Sequence, residues 1–286
     1  MPPRSCGGFF LIMTDKKEFK LETSEEFPCD LGIFRNYDCV LDSGYNLKDF
    51  KIAFKTYGSL NHNKSNAILV CHALTGDQFV TEKHPVTSKN GWWSRMVGPN
   101  KPIDTNKYFV ICTNVLGGCI GSTGPKEINL KTNLPFNIEF PAVTIKDMVK
   151  VQKHLIDALE IKKIFAVVGA SMGAMQVLQW VIDFPENIAN AIHIAGALKH
   201  STQNIAFHEV GRQAIMSDPN WAKGNYIIHN TIPERGLAVA RMIAHITYLS
   251  EDALQRKFGR KLQSRDIISF GFDADFQVES YLRYQG

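Results

Sequence analysis

Ser171 lies at the centre of Val167-Val168-Gly169-Ala170-Ser171-Met172-Gly173-Ala174-Met175-Gln176, a G-x-S-x-G pattern. A serine hydroxyl is a weak nucleophile until a neighbouring base takes its proton. The pattern suits that chemistry when a strand runs into it and a helix runs out. Both signals are present. "KIFAVVG" (163–169) is a continuous apolar run, and "MGAMQVLQWVIDF" (172–184) has helical spacing and stops at Pro185. The turn between them must be tight and strained, so the positions two before and two after the serine must be small. Gly169 and Gly173 meet that need, and Ala170 and Ala174 extend the small surface. Ser171 would sit at a helix N-terminus, where partial positive charge favours an oxyanion. Two backbone N–H donors are needed to hold it. One is expected from Met172, the next residue. The other is expected from the loop "HALTGD" (72–77) after the strand "AILVC", with Leu74 as donor and Thr75 and Gly76 letting a substrate approach the backbone.

A base is harder to find. In this arrangement an Asp or Glu and then a His should follow the serine. The candidates are His193, His200, His208, His229 and His245. His193 lies inside the apolar run "NAIHIAG" and reads as a core residue. His200 follows that run too closely. His208 and His245 lie in helical patterns and His229 in a polar loop. None follows a strand preceded by an acid-bearing strand, so the triad Asp and His are expected to be absent from this chain.

The elements that must position these residues alternate. Continuous apolar runs at 66–72, 108–114, 163–169 and 190–196 suit central strands covered on both faces. Two earlier strands, "YDCVLDS" and "FKIAFKTYG", flank a Gly/Asn turn. The segment 144–161 predicts a helix with Thr144 as N-cap and Asp147 at capping-box spacing. Its apolar face would carry Met148, Val151, His154 or Leu155, and Leu159. The expected class is α/β, a mostly parallel sheet with helices on both faces. Beyond about residue 199 the patterns turn helical, with "DIISFGF" (266–272) as the one short extended candidate. The expected plan is a core over 30–199, a helical lid over 200–286 and an N-terminal extension over 1–29. Met13 is an alternative start that would leave residues 1–12 untranslated.

Bulk properties narrow the partners. The 286 residues are 44% hydrophobic and 21% charged, ordinary for a globular protein. The net charge of +4 is spread without a basic block, which argues against nucleic acid. The six cysteines form no C-x-x-C pair or zinc spacing, so no metal is expected and a reducing cytoplasmic setting fits. "FFLIM" is too short for a signal peptide, and no stretch reaches membrane-spanning length.

Longer stretches carry a resemblance. "CHALTGDQ" (71–78), "GWW" (91–93), "NVLGGCIGSTGP" (114–125), "FPAVTIKDMV" (140–149), "VGASMGAMQVLQW" (168–180), "EVGRQAIMSDPNW" (209–221), "RMIAHITYLS" (241–250) and "VESYLRYQG" (278–286) together resemble the homoserine O-acetyltransferase family. The resemblance runs from about residue 30 to the end. His208 and Ala174 depart from the family's usual Asn and Gly. The resemblance implies an α/β-hydrolase fold and transfer of acetyl from acetyl-CoA to the hydroxyl of L-homoserine, through an acyl-enzyme on Ser171, in methionine biosynthesis. It implies no resident cofactor, acetyl-CoA being a co-substrate. Arg241 maps onto the cation that holds the acceptor carboxylate, and Tyr248 onto the same pocket. Arg241, His245 and Tyr248 share one helix face at i, i+4 and i+7, and a guanidinium suits a carboxylate. The resemblance further implies a homodimer built through the lid helices. It also places the triad acid and base, with the last strands of the sheet, beyond residue 286, so that the chain alone would be an inactive fragment. The rival readings are a serine esterase or thioesterase of the same fold and a non-catalytic pseudoenzyme. Acetyl against succinyl donor, and homoserine against serine acceptor, stay open.

Overall fold

Four apolar runs become neighbouring parallel strands, and the first three bury nearly all of their residues. The computed structural model describes residues 17–22, 31–269 and 271–286. Its main strands are β1 (Lys17–Glu22), β2 (Leu31–Val40), β3 (Asn46–Tyr57), β4 (Ala67–Cys71), β5 (Phe109–Thr113), β6 (Ala166–Ala170) and β7 (Ala191–Ile194). They form one sheet in the order β1-β2-β3-β5-β4-β6-β7. The pairs β5·β4, β4·β6 and β6·β7 are parallel, and the pairs along β1-β2-β3-β5 are antiparallel. Residues 17–22, expected to belong to an extension, thus pair with β2. Cys6, Cys29 and the untranslated reading of residues 1–12 lie outside the described residues.

Alternation along β4 divides the core. Ala67, Leu69 and Cys71 join one apolar cluster with Val151, Leu155, Val177 and Trp180, the inner faces of α1 (Ile145–Ala158) and α2 (Met172–Asp183). Ile68 and Val70 join the other, with Val80, Val97, Val110 and Val168. That second face is covered by the irregular segment carrying Val80, Trp93 and Val97 rather than by a helix. Helix α1 begins with the expected capping box between Thr144 and Asp147. Its buried stripe is Val149, Val151, Gln152, Leu155 and Ile156, whereas Met148, His154 and Leu159 are half-buried. Asp147 turns the stripe: its carboxylate accepts from the Thr144 and Asp42 backbone N–H groups at 2.9 and 2.7 Å, holding that side of the first turn inward.

Strand β7 departs from expectation. All its residues are exposed, His193 included, because β7 is the outermost strand on its side of the described sheet. His193 is therefore not a core histidine.

The chain divides into two compact units, residues 1–127 with 140–198 and residues 128–139 with 199–286. The second is helical, with α3 (Thr202–Met216), α4 (Glu234–Thr247), α5 (Glu251–Lys257) and α6 (Gln277–Gln285). Helices α3 and α4 cross closely at Gly236, where an added Cβ would lie 2.5 Å from the Ala214 carbonyl oxygen. Asp218 accepts from the Gly236 N–H at 2.9 Å and so fixes the start of α4. The segment 266–272 contains no strand among its described residues. Asp275 organises it instead, accepting from Arg265 and from the Ser269 N–H.

Candidate active site

The turn at Ser171 has the geometry that the sequence demanded. Ser171 has φ 55° and ψ −122°, a conformation that L residues rarely adopt and that costs about 1–3 kcal/mol. Its N–H donates to the Ile194 carbonyl at 3.1 Å, and its carbonyl accepts from Ala174 at 2.9 Å, so the strain is held from both sides. The residue itself is exposed. The flanking glycines are in contact. An added Cβ on Gly169 would lie 2.4 Å from the Gly173 carbonyl oxygen, and one on Gly173 would lie 2.1 Å from the Cys71 carbonyl oxygen. Only glycine lets the first turn of α2 press onto the ends of β6 and β4. Met172 is the first residue of α2, so its N–H has no acceptor within the helix.

The loop after β4 holds the other expected donor, the Leu74 N–H. The Leu74 N–H has no acceptor among the described residues, and the Leu74 side chain is exposed. Its peptide plane is fixed through the other end. The Ala73 carbonyl, trans to that N–H across one planar unit, accepts from the Gly76 N–H at 2.9 Å and from His72 Nδ1 at 2.7 Å. His72 Nε2 in turn accepts from the Val115 N–H at 3.2 Å. The two partners dictate the neutral Nδ1–H tautomer of a buried ring. This role of His72 is invisible in the sequence, because both partners are backbone groups.

Burial holds the His72 imidazole below its ordinary pKa of 6.5. Unfolding frees it to take a proton, so the unfolded chain binds more protons in the window below that value. Stability from this group is therefore fully present above about pH 6.5, and is lost as pH falls toward the lowered folded pKa. Urea midpoints between about pH 5 and pH 8 should fall with acidity in the wild type. The His72→Phe variant should be less stable throughout and lack this part of the slope.

A histidine–carboxylate pair lies in the same loop. His84 Nε2 lies 3.1 Å from Asp77 Oδ2. Its other nitrogen, Nδ1, accepts from the Val86 and Thr87 N–H groups at 3.1 and 3.2 Å. Both ring nitrogens are occupied, so the pair pins the loop and has no lone pair to offer a serine. Cysteine does not compete as nucleophile here: burial pushes the Cys71 thiol up to about 12 and that of Cys112 well above its ordinary value.

Arg241 and Tyr248 lie in the second unit. Arg241 is exposed on α4, and its Nε donates to the Gln285 carbonyl at the end of α6. His245, one turn on, bonds the Tyr281 hydroxyl at 2.9 Å and meets the Tyr248 ring edge-on at 5.4 Å. Its pKa is lowered, by desolvation first and then by repulsion from Arg241 and Lys257. Among the described residues no group of three His, Cys, Asp or Glu side chains could hold a metal ion. No described helix is long and apolar enough to cross a membrane.

These features have relatives. A family model for the alpha/beta hydrolase fold matches residues 66–284. The chain belongs to the α/β hydrolase fold family. Among curated members, it is 62% identical over 246 residues to the homoserine O-acetyltransferase of Rhodospirillum rubrum, a match covering 86% of this chain and 63% of that protein. It is equally similar to the homoserine O-acetyltransferase of Caulobacter vibrioides, covering 64% of it. The chain thus spans just under two thirds of the length of these curated relatives. Among solved α/β hydrolases, it resembles the homoserine O-acetyltransferase of Bacillus anthracis with a TM-score of 0.80 at 27% identity, covering 89% of this chain and 69% of that one. It resembles esterase E22 with a TM-score of 0.78 at 30% identity, covering 89% and 72%. The resemblance to homoserine O-acetyltransferases read from the sequence motifs is therefore borne out across most of the chain.

Proposed function

We propose that this chain carries the nucleophile and oxyanion site of a homoserine O-acetyltransferase. The observation that carries the reading is Ser171 itself, strained and exposed at a helix N-terminus that glycine packing presses against β4. The names of the 62%-identical relatives support homoserine as acceptor and acetyl as the group transferred; acetyl-CoA as donor is what the sequence resemblance implies. Ser171 Oγ attacks the thioester carbonyl of acetyl-CoA while its proton passes to a base. The Leu74 and Met172 N–H groups stabilise the oxyanion as the C–O bond forms. The C–S bond then breaks, and CoA leaves with a proton as the thiol. The hydroxyl of L-homoserine attacks the acetyl-serine ester, gives up its proton, and releases O-acetyl-homoserine with Ser171 restored. Gly76 leaves the loop open to the acyl group, and Arg241, with Tyr248, receives the acceptor carboxylate. The Asp77–His84 pair is not the proton acceptor, since both ring nitrogens of His84 are taken.

The same reading makes the protein a cytoplasmic homodimer in methionine biosynthesis, with small-molecule substrates, no resident cofactor, a core of residues 30–199 and a helical lid segment of residues 200–286. A hydrolytic reading is favoured by the likeness to esterase E22. The two differ in whether water or an alcohol takes the acetyl group. Acetyl release from p-nitrophenyl acetate should accelerate several-fold with L-homoserine and yield O-acetyl-homoserine. A rate indifferent to homoserine, with acetate as product, would favour the esterase.

A further inference from the structure

The proposed oxyanion hole draws its two amides from segments far apart in the chain, and one side chain spans them. Gln176 is fully buried. Its Nε2 donates to the His72 carbonyl at 3.3 Å, one residue beyond the last ladder pairing of β4, and lies 3.5 Å from the Met172 carbonyl. Its Oε1 accepts from Gln152 Nε2 at 2.7 Å. Gln152, also buried, reaches Thr113 Oγ1 at 3.2 Å and accepts from Trp180 Nε1 at 2.8 Å. The chain of bonds runs from β5 through α1 and α2 to the residue that fixes the Leu74 peptide plane. Burying two amides gains nothing over apolar packing unless their geometry matters. Helix α2 already touches β4 through Gly173, so adhesion does not require the network.

We infer that Gln176 is a positioning residue: its amide ties the end of β4 to the first turn of α2 and sets the spacing between the Leu74 and Met172 N–H donors. The inference rests on the oxyanion reading above. Misplacing a donor by about an ångström costs up to about 100-fold in rate.

The test uses a protein of the full length of the curated relatives, with three substitutions. Gln176→Met keeps the shape and removes the bridge. Thr113→Val removes a bond at the far end of the same network. Ser171→Ala references the assay. With acetyl-CoA and L-homoserine, Gln176→Met should lower kcat and kcat/KM alike, by about 10–100-fold, at unchanged KM. It should weaken inhibition by methylboronic acid, which mimics the tetrahedral intermediate, by a similar factor. Thr113→Val should stay within about twofold of wild type in kcat/KM, even where it unfolds more readily. Turnover that survives Ser171→Ala would overturn the acyl-enzyme reading itself. Ser171-dependent turnover that Gln176→Met leaves intact, or that Thr113→Val lowers as much, would overturn the positioning role alone.

Backbone hydrogen exchange gives a readout without turnover. Exchange at residues 72–76 should rise in Gln176→Met and not in Thr113→Val, and equal protection in both would overturn the inference. If Gln176→Met does not fold, Gln152→Met, which unseats the Gln176 amide without deleting it, should still lower kcat about threefold at unchanged KM. An unchanged kcat there would overturn the inference.

Discussion

In a protein of the full length of the curated relatives, Ser171→Ala is expected to abolish acyl transfer, lowering kcat by about 10⁴–10⁶-fold, as removal of the nucleophile does in other serine enzymes. It should also prevent the mass increase of one acetyl group that the proposed acyl-enzyme would show on incubation with acetyl-CoA. The loss should not come with instability. Ser171 is exposed, and its structural bonds, to Ile194 and from Ala174, are made by its backbone. Alanine keeps both and inherits the same φ of 55°. Glycine at this position would relieve the strain, so Ser171→Gly should be equally inactive yet more stable by about 1 kcal/mol. Opposite signs for activity and stability at one residue are what a turn strained for function predicts. Thermal unfolding and intact-mass analysis of the two variants check this together. An alanine variant that keeps more than about a hundredth of the wild-type kcat would remove Ser171 from the chemistry.

The elbow was legible because its requirements are local. Gly169, Ser171 and Gly173 need one strand before and one helix after, and composition signals both. The parallel strands were legible for the same reason, since β4, β5 and most of β6 are buried on both faces. The apolar run at β7 has the same character, yet its position in the sheet exposes it. Sequence reports that a run can pair but not whether it pairs on one side or two. His84 illustrates a second limit. It stands near Asp77, but its other nitrogen is filled by the amides of Val86 and Thr87, and backbone donors leave no mark in a residue pattern. Gln152 and Gln176 illustrate a third. Each falls on a helix where a polar residue suggests a solvated face, and each is buried because its amide finds partners on two other segments. The buried stripe of α1 shifted for a related reason, since the Asp147 carboxylate is pulled inward by backbone donors of another segment.

Gly173→Ala is expected to damage stability and rate together, which separates it from Ser171→Ala. The added Cβ would lie 2.1 Å from the Cys71 carbonyl oxygen, 2.9 Å from its carbon and 3.1 Å from the His72 carbonyl oxygen. All three are backbone atoms, so no side chain can swing aside. Cys71 is itself held in the middle of the sheet, opposite Gly169 of β6. The helix must therefore retreat from β4. Overpacking of this kind costs about 1–3 kcal/mol and more where the backbone cannot shift. The retreat also carries Met172 away from Leu74 and stretches the Gln176 bridge, so kcat should fall by about 100-fold in the protein that remains folded. Gly44 supplies the control. Its φ of 81° strains any other residue, but nothing lies within 4 Å of an added Cβ. Gly44→Ala should cost about 1 kcal/mol through the backbone alone and leave kcat unchanged. Unfolding midpoints and kcat measured side by side decide the matter. A Gly173→Ala protein as stable and as active as the Gly44→Ala protein would mean that α2 can move off β4 freely, and that the contact between them does not set the geometry at Ser171.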